Sequence, residues 1–255
     1  MVADTTTDRI YVGIDLAADP RRTGIAVLAD SGTCTVESVR AGADDGDIVA
    51  AVRGADRVGV DVPLGWPRAF VDYVSAHAAG TQPALDDPGP AWRRNLAMRV
   101  TDLEVHRRTG LTPLSVSTDR IAHPALRWSG IESRLRDGGI DAARDGSGVV
   151  CEVYPAAALR CWSLPHRGYK GVTNEAARRD LVGSLAGNLP WLQWDEHREL
   201  CAADDNALDA VLSALVAREV DRGRCEPPPS ELQQLARQEG WIWLPDTPAP
   251  PSVSR

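Results

Sequence analysis

Apolar residues gather into short runs over the first sixty positions, and these runs predict a sheet. Residues 10–14 and 24–28 are both apolar, and a short polar break separates them. Residues 33–39 alternate between polar and apolar side chains and have the β-branched content of an edge strand. Because Ser31 and Gly32 supply a turn before this third run, we expect the three strands to form an antiparallel meander.

Two further strands are predicted beyond a short helix. Residues 47–53 have the spacing of a helix that ends at Gly54, and the apolar run 57–62 follows them. A strand that returns after a helical crossover lies parallel to its neighbour, so this fourth strand should be parallel to the first. Residues 149–155 predict a fifth strand. The pattern therefore indicates an α/β fold with a mixed five-stranded sheet flanked by helices.

Between Pro63 and about residue 147 the pattern is mostly helical and rich in arginine and tryptophan. Helices there and in the last third of the chain are predicted at 70–79, 92–108, 117–136, 174–185 and 204–220. We interpret residues 1–255 as one domain with a helical, arginine-rich insertion at about 63–147. We expect the tail from about 246 to 255 to be disordered.

Composition narrows the class of protein. Hydrophobic residues make up 43% of the chain and charged residues 25%, as in ordinary globular proteins. The polar, acidic start predicts no signal or transit peptide, and no apolar stretch is long enough to span a bilayer. The five cysteines are scattered without a C-x-x-C pair, which indicates reduced thiols and argues against zinc. We therefore expect a cytoplasmic protein with no membrane partner.

Charge is unevenly distributed along the chain. The formal net charge of −8 argues against a protein that coats nucleic acid nonspecifically, because counterion release needs many cationic contacts. Arginines nevertheless outnumber acidic residues between positions 88 and 136. That stretch is either a solvated helical face or a surface that contacts phosphate, and the sequence leaves both interpretations open.

Carboxylates at the ends of predicted strands are the strongest chemical signal. Asp15 ends the first strand, Asp61 ends the fourth, and Glu152 lies within the fifth. Each has a structural explanation of its own, because aspartate forms turns and a buried glutamate can pair with an arginine. Their coincidence on central strands is what suggests a shared site. Hard cations such as Mg²⁺ are bound by a few carboxylates together with water and substrate phosphate.

The predicted helix at 204–220 adds two acids to this set. Its apolar face is formed at helical spacing by Leu208, Leu212, Leu215 and Val216. Asp205 and Asp209 fall within the same apolar sector, whereas Asp204 suits the N-cap. A buried Asp209 needs a partner, which is either a metal or a buried salt bridge, and we favour the metal.

These residues lie in motifs that resemble the "domain of unknown function 429" (DUF429) family. The motifs occur in order as Gly13-Ile-Asp15-Leu-Ala17 with Thr23-Gly24, Val60-Asp61-Val-Pro-Leu-Gly65, Arg99-Val-Thr-Asp102, Glu152-Val-Tyr-Pro155, Tyr169-Lys170, Asp205-Asn-Ala-Leu-Asp209-Ala210 and Glu239-Gly-Trp-Ile-Trp-Leu-Pro245. The resemblance implies a predicted nuclease with a ribonuclease-H-like fold, in which the helical stretch after the fourth strand is an insertion. By this resemblance Asp15 and Asp61 are strand-end ligands, and Asp205 and Asp209 are the acids of the closing helix.

The residues and the resemblance together predict a metal-dependent nuclease. Two Mg²⁺ or Mn²⁺ ions about 4 Å apart would be held by three carboxylates, Asp15, Asp61 and Asp209. Either Asp205 or Glu152 would complete the catalytic set. Arg99 and Lys170 are candidates to bind the phosphates of a DNA or RNA substrate. The alternative, that both residues form ordinary ion pairs, explains their presence equally well.

Two other functions stay open at this point. A phosphotransferase of the actin and sugar-kinase type also begins its sheet with Gly-Ile-Asp, but it needs a second glycine-rich phosphate loop. Residues 204–209 contain no glycine, which disfavours that class. The second alternative is a non-enzymatic module on the same fold that uses its arginine-rich insertion to bind a partner.

Overall fold

A six-stranded mixed sheet forms the centre of the molecule. The computed structural model describes residues 8–85 and 87–246, so the predicted disordered tail lies almost wholly outside the described residues. The strands are β1 (Arg9–Asp15), β2 (Gly24–Asp30), β3 (Cys34–Ala41), β4 (Arg57–Asp61), β5 (Val150–Glu152) and β6 (Leu192–Gln193). Their order across the sheet is β5-β4-β1-β2-β3-β6.

The sheet confirms the predicted meander and corrects the predicted strand count. β1, β2 and β3 pair antiparallel, while β4 is parallel to β1 and β5 is parallel to β4. The prediction of five strands is wrong, because Leu192–Gln193 pairs in parallel with the edge of β3 as a sixth strand. A strand of two residues is too short to show an alternating pattern, so the sequence gives no sign of it.

Helices cover both faces of the sheet. They are α1 (Asp45–Arg53), α2 (Arg68–Ala78), α3 (Pro90–Ala97), α4 (Val100–Thr109), α5 (Ala122–Asp137), α6 (Pro155–Cys161), α7 (Glu175–Asn188), α8 (His197–Ala203), α9 (Asp205–Asp221) and α10 (Gln233–Glu239). Short 3₁₀ helices lie at Pro20–Arg22 and Val172–Asn174. The helices α6, α8 and α10 were not predicted, because each has only seven residues and shows no sustained helical period. No helix among the described residues is both long and apolar enough to cross a membrane.

Two predicted helices differ from the observed ones for local reasons. The predicted helix 92–108 is divided into α3 and α4, because Met98 and Arg99 both adopt extended backbone conformations. The predicted helix 117–136 begins only at Ala122. The Ser115 hydroxyl accepts the backbone N–H groups of residues 117 and 118, and this side-chain bonding favours turns over a helix.

Side chains along each strand alternate between the two faces of the sheet, and each face has its own hydrophobic core. Tyr11 and Leu28 point to the face covered by α6, α7, α8 and α9, whereas Val12 and Ile14 point to the opposite face. On that opposite face the second core includes side chains of α1 and of α5, such as Trp128. Part of the predicted insertion therefore packs directly against the sheet.

The helix α9 lies very close to the strands. Every residue from Ala207 to Val220 is buried, so this helix is enclosed by the rest of the protein on all sides. Gly13 on β1 and Gly59 on β4 face it, and a Cβ atom at either position would clash with a backbone carbonyl oxygen of α9. These two glycines let the helix rest on the strand backbones, which sets the height of its side chains above the sheet.

Candidate metal centre

Two of the predicted acids meet at the carboxyl ends of neighbouring strands. β1 and β4 are parallel, and their register places Asp15 directly beside Asp61. Asp15 comes two residues after Gly13, and Asp61 comes two residues after Gly59. Because every second residue of a strand faces the same side and both glycines face α9, both carboxylates lie on the α9 side of the sheet. The parallel pairing and the equal register thus bring these two carboxylates to one point.

The third acid arrives from the start of α9. The Asp204 carboxylate accepts the backbone N–H groups of Asn206 and Ala207, which confirms its predicted role as the N-cap. One turn later, Asp209 is completely buried above the strand ends. Asp15, Asp61 and Asp209 each offer an oxygen atom, and these three atoms all lie within 4.8 Å of one another.

Two side chains of one loop contact Asp209. The Tyr169 hydroxyl donates a hydrogen bond of 2.8 Å to Oδ1 of Asp209. Nζ of Lys170 lies 2.5 Å from Oδ2. This is a short ion pair between a protonated amine and a buried carboxylate, and it opposes the effect of burial, which raises the pKa of Asp209. Apart from this ammonium, Oδ2 has no hydrogen-bond partner among residues 8–85 and 87–246.

The three carboxylates are crowded together, and the pKa of each is raised. Burial raises the pKa of Asp15 well above its usual value, and Asp209 and Asp61 raise it further. Burial also raises the pKa of Asp61, to about 7, against the opposing effect of Lys170. The pKa of Asp209 is likewise raised by burial. Ionising all three acids in this position is therefore costly unless positive charge is supplied.

Lys170 is the positive charge that the protein itself supplies. Burial lowers the pKa of Lys170, but the carboxylates of Asp209, Asp61 and Asp15 outweigh that effect and raise it. The amine is therefore protonated at neutral pH, although its side chain is 52% exposed. One ammonium faces three carboxylates, so the group keeps an excess of negative charge when all three are ionised.

Asp205 is close to this group but has another contact. Its Oδ2 accepts the backbone N–H of Gly171 at 3.0 Å, so it binds the loop that carries Lys170. The structure therefore places Asp205 at the edge of the group of three and not among its members. Its predicted catalytic role stays a prediction.

Glu152 and Arg99 lie in a separate network. Glu152 accepts two hydrogen bonds from Arg99, at 2.7 and 2.8 Å, and one from the backbone N–H of Leu64. The Arg99 guanidinium also donates to Asp102 and to the carbonyl oxygen of Glu239, so all five of its N–H groups have acceptors. The structure brings Lys170 to the carboxylates but leaves Arg99 buried in this network, and their predicted phosphate contacts stay predictions.

Arg178 organises the site, although it is not among the residues predicted from the sequence. Its buried guanidinium donates to the carbonyl oxygens of Tyr169 and Gly171, on either side of Lys170. It also donates to the carbonyl oxygens of Ala202 and Ala203 at the end of α8, directly before α9. It therefore ties the Lys170 loop to the segment that positions Asp209. The available signal was an arginine on the apolar face of a predicted helix, at helical spacing from Leu181, Val182 and Leu185.

Comparison with family models identifies the relatives of this chain. The family described as "Protein of unknown function (DUF429)" matches residues 13–234, which is most of the chain. This match confirms the resemblance of the motifs. No curated protein and no solved structure matches the chain. The comparisons therefore assign relatives without assigning an activity.

Proposed function

Because this chain belongs to the DUF429 family, whose function is unknown, we propose an activity from the site itself: a metal-dependent nuclease that hydrolyses phosphodiester bonds in a nucleic acid. The observation that carries the proposal is the convergence of Asp15, Asp61 and Asp209, with oxygen atoms within 4.8 Å of one another. Most buried carboxylates have a matching cation or several N–H donors. Asp209 is buried, and it shares a single ammonium with Asp15 and Asp61.

The donor set fits Mg²⁺ or Mn²⁺. Hard cations of this size prefer carboxylate oxygens and leave positions for water and phosphate. The Lys170 ammonium is the one partner of the buried Oδ2 of Asp209 among the described residues, and burial raises the pKa of Asp61 to about 7. Bound at these oxygens, the metal would lower the pKa of an attacking water and stabilise charge on the phosphate.

The side chains around the carboxylates have distinct tasks in this proposal. Tyr169 orients Asp209 through its hydrogen bond to Oδ1. Asp205 and Arg178 position the loop that bears Lys170. Lys170 stays protonated, so its ammonium can move from Asp209 to a phosphate oxygen of the substrate when a cation replaces it.

The topology supports a ribonuclease-H-like fold for this site. The antiparallel meander β1–β3 is followed by β4 and β5, which extend the sheet in parallel on the other side of β1. The acids lie on β1, on β4 and on α9. The five cysteines of the described chain are all free thiols, which supports a location in the reducing cytoplasm.

A nuclease assay on matched variants tests the proposal. Wild type, Asp15→Asn and Asp180→Asn would be incubated with labelled single- and double-stranded DNA and RNA in Mg²⁺ or Mn²⁺, and with EDTA. Asn cannot supply the charge that a hard cation requires, so Asp15→Asn should lose about 100-fold or more of the activity. Asp180 is exposed on α7, and its variant controls for the loss of one charge at the surface.

Thermal unfolding of the same proteins separates binding from cleavage. Mn²⁺ should raise the melting temperature of wild type and Asp180→Asn but not of Asp15→Asn, because only a native-state ligand stabilises by mass action. If Asp15→Asn cleaves as fast as wild type, the assigned site is wrong. If wild type binds Mn²⁺ but cleaves nothing, the non-enzymatic binding module replaces the nuclease.

A further inference from the structure

A hollow of about 430 Å³ opens directly beside the carboxylates. Asp61, Tyr169 and Lys170 line it, so it is continuous with the candidate metal centre. Its volume is within the range of pockets that enclose one small molecule, about 300–1,000 Å³. A site that gripped only a phosphate backbone would need no such cavity.

The walls of this hollow are mainly apolar. They include the side chains of Val62, Pro63, Pro113, Leu114, Ile121 and Ile242. Tyr154 adds an aromatic ring, and Leu114 is 55% exposed at the hollow. On the floor, Glu152 and Arg99 pair with each other, so an entering group meets no unpaired charge there. These surfaces suit a flat, weakly polar group such as a nucleobase.

Positive charge lies on the wall that carries Lys170. Arg167 and Lys170 are on the same loop and both line the hollow, as does the side chain of His166. Asp61 lines the hollow next to them, and a metal at the three carboxylates would hold the scissile phosphate there. A phosphate of the same nucleotide, or of the next one, would therefore lie between cations while its base lies against the apolar walls.

We propose that this hollow receives one unstacked nucleotide of a single-stranded nucleic acid, and that the single strand is the substrate of the site. The inference rests on the proposed nuclease function and specifies its substrate. A base within an intact duplex is paired and stacked, so it enters a pocket only at the cost of unpairing. The net charge of −8 points the same way, because nonspecific binding along a duplex backbone needs many cationic contacts.

Two matched leucines provide the test. Leu114→Glu puts a carboxylate into the mouth of the hollow, whereas Leu126→Glu makes the same change on α5, where Leu126 is 60% exposed and outside the hollow. Fluorescence anisotropy would measure binding of a labelled 12-mer DNA as a single strand and as a blunt duplex. Ca²⁺ would replace Mn²⁺ in this experiment, and a gel would confirm afterwards that the probe is intact.

We expect wild type and Leu126→Glu to bind the single strand at least about tenfold more tightly than the duplex. Leu114→Glu should lose about tenfold or more of the single-strand affinity, the effect of removing one base contact. Its stabilisation by Mn²⁺ should be unchanged, because Leu114 is not a ligand of the metal.

Three results would overturn the inference. If wild type cleaves nucleic acid but binds the duplex as tightly as the single strand, the hollow does not select unpaired bases, and the nuclease proposal survives. The same conclusion follows if Leu114→Glu binds like Leu126→Glu. If wild type neither binds nor cleaves any nucleic acid although Mn²⁺ stabilises it, the nuclease proposal itself fails and this inference fails with it.

Discussion

Two groups of charged side chains lie on either side of β4, and their charges are balanced differently. On the β5 side, Arg99 lies between Asp102 and Glu152, and each of its N–H groups has an acceptor. On the β1 side, Asp15, Asp61 and Asp209 meet a single ammonium. The first group is complete without any ligand, whereas the second group lacks positive charge.

The difference shows that burial of an acid does not by itself identify a functional site. Burial raises the pKa of Glu152 as it raises the pKa of Asp61. Glu152 nevertheless accepts three hydrogen bonds, two of them from a guanidinium. Asp209 accepts from the Tyr169 hydroxyl and shares the Lys170 ammonium with Asp15 and Asp61. The number of donors per carboxylate oxygen therefore separates the structural network from the site that we propose for a cation.

The largest expected effect is in the complete network. Arg99→Met should reduce the free energy of unfolding by about 3–5 kcal/mol, because it leaves Asp102 and Glu152 buried without their partner. Arg107→Met is the control, since Arg107 is exposed and solvent screens its pair with Glu104. Urea unfolding with and without Mn²⁺ measures both. If Mn²⁺ restored the unfolding free energy that Arg99→Met loses, the distinction between the two groups would be wrong.

A smaller effect is expected from Lys170→Met at the incomplete group. Without metal, removing the ammonium should destabilise the protein by about 2 kcal/mol, the usual contribution of a charged partner. The stabilisation by Mn²⁺ should be at least as large as in wild type, because the ion no longer competes with Lys170 for Asp209. Arg179→Met, which removes two exposed ion pairs, with Glu175 and Glu199, is the control. Loss of Mn²⁺ binding in Lys170→Met would show that the lysine is needed to build the site.

The smallest expected effect is a change in pH dependence. The pKa of Asp61 is about 7 in the folded protein and about 3.9 when unfolded. Between these values the folded state holds a proton that the unfolded state has lost, so this group makes stability fall as pH rises from about 4 to 7. Asp61→Asn has no carboxyl group to titrate at this position, so its stability does not fall with pH for this reason. Relative to metal-free wild type, it should therefore gain at least about 1 kcal/mol in unfolding free energy between pH 5 and pH 7.

Urea unfolding at pH 5, 6 and 7 in EDTA checks this prediction. Asp180→Asn is the control for the loss of one charge, because its carboxylate is exposed on α7 and is not among the three acids. A constant difference between Asp61→Asn and wild type across these pH values would mean that Asp61 is ionised throughout and that its charge is already compensated.

The sequence carried enough information to predict the three acids that meet. Asp15 and Asp61 end apolar runs, and Asp209 interrupts the apolar face of a long helix. Short-range patterns of period two and 3.6 therefore place each acid on its element. The parallel connection from β1 to β4 then places both strand ends at the same edge of the sheet.

Long-range pairing limits what the sequence can show about the other candidates. Glu152 resembles Asp61 in sequence, and the partner that distinguishes them, Arg99, is 53 residues away. Arg99 also lay inside a predicted continuous helix, while the actual break between α3 and α4 lets its side chain turn inward. Tyr169 and Lys170 lie in an irregular loop, where no periodic signal indicates which way a side chain points.

The tight seating of α9 over Gly13 and Gly59 has a consequence for the timescale of ligand exchange. An element buried along its whole length opens only when the entire molecule unfolds, so its amide hydrogens should be among the slowest to exchange with solvent. We therefore expect the backbone that carries Asp209 to be among the slowest parts of the described chain to open. Lys170 differs, because its side chain is half exposed and only its ammonium is held by the carboxylates, while Arg178 holds its backbone. In the proposed metal-bound state, one cation would replace another at Asp209 through a rotation of this single side chain, with the sheet and α9 unmoved.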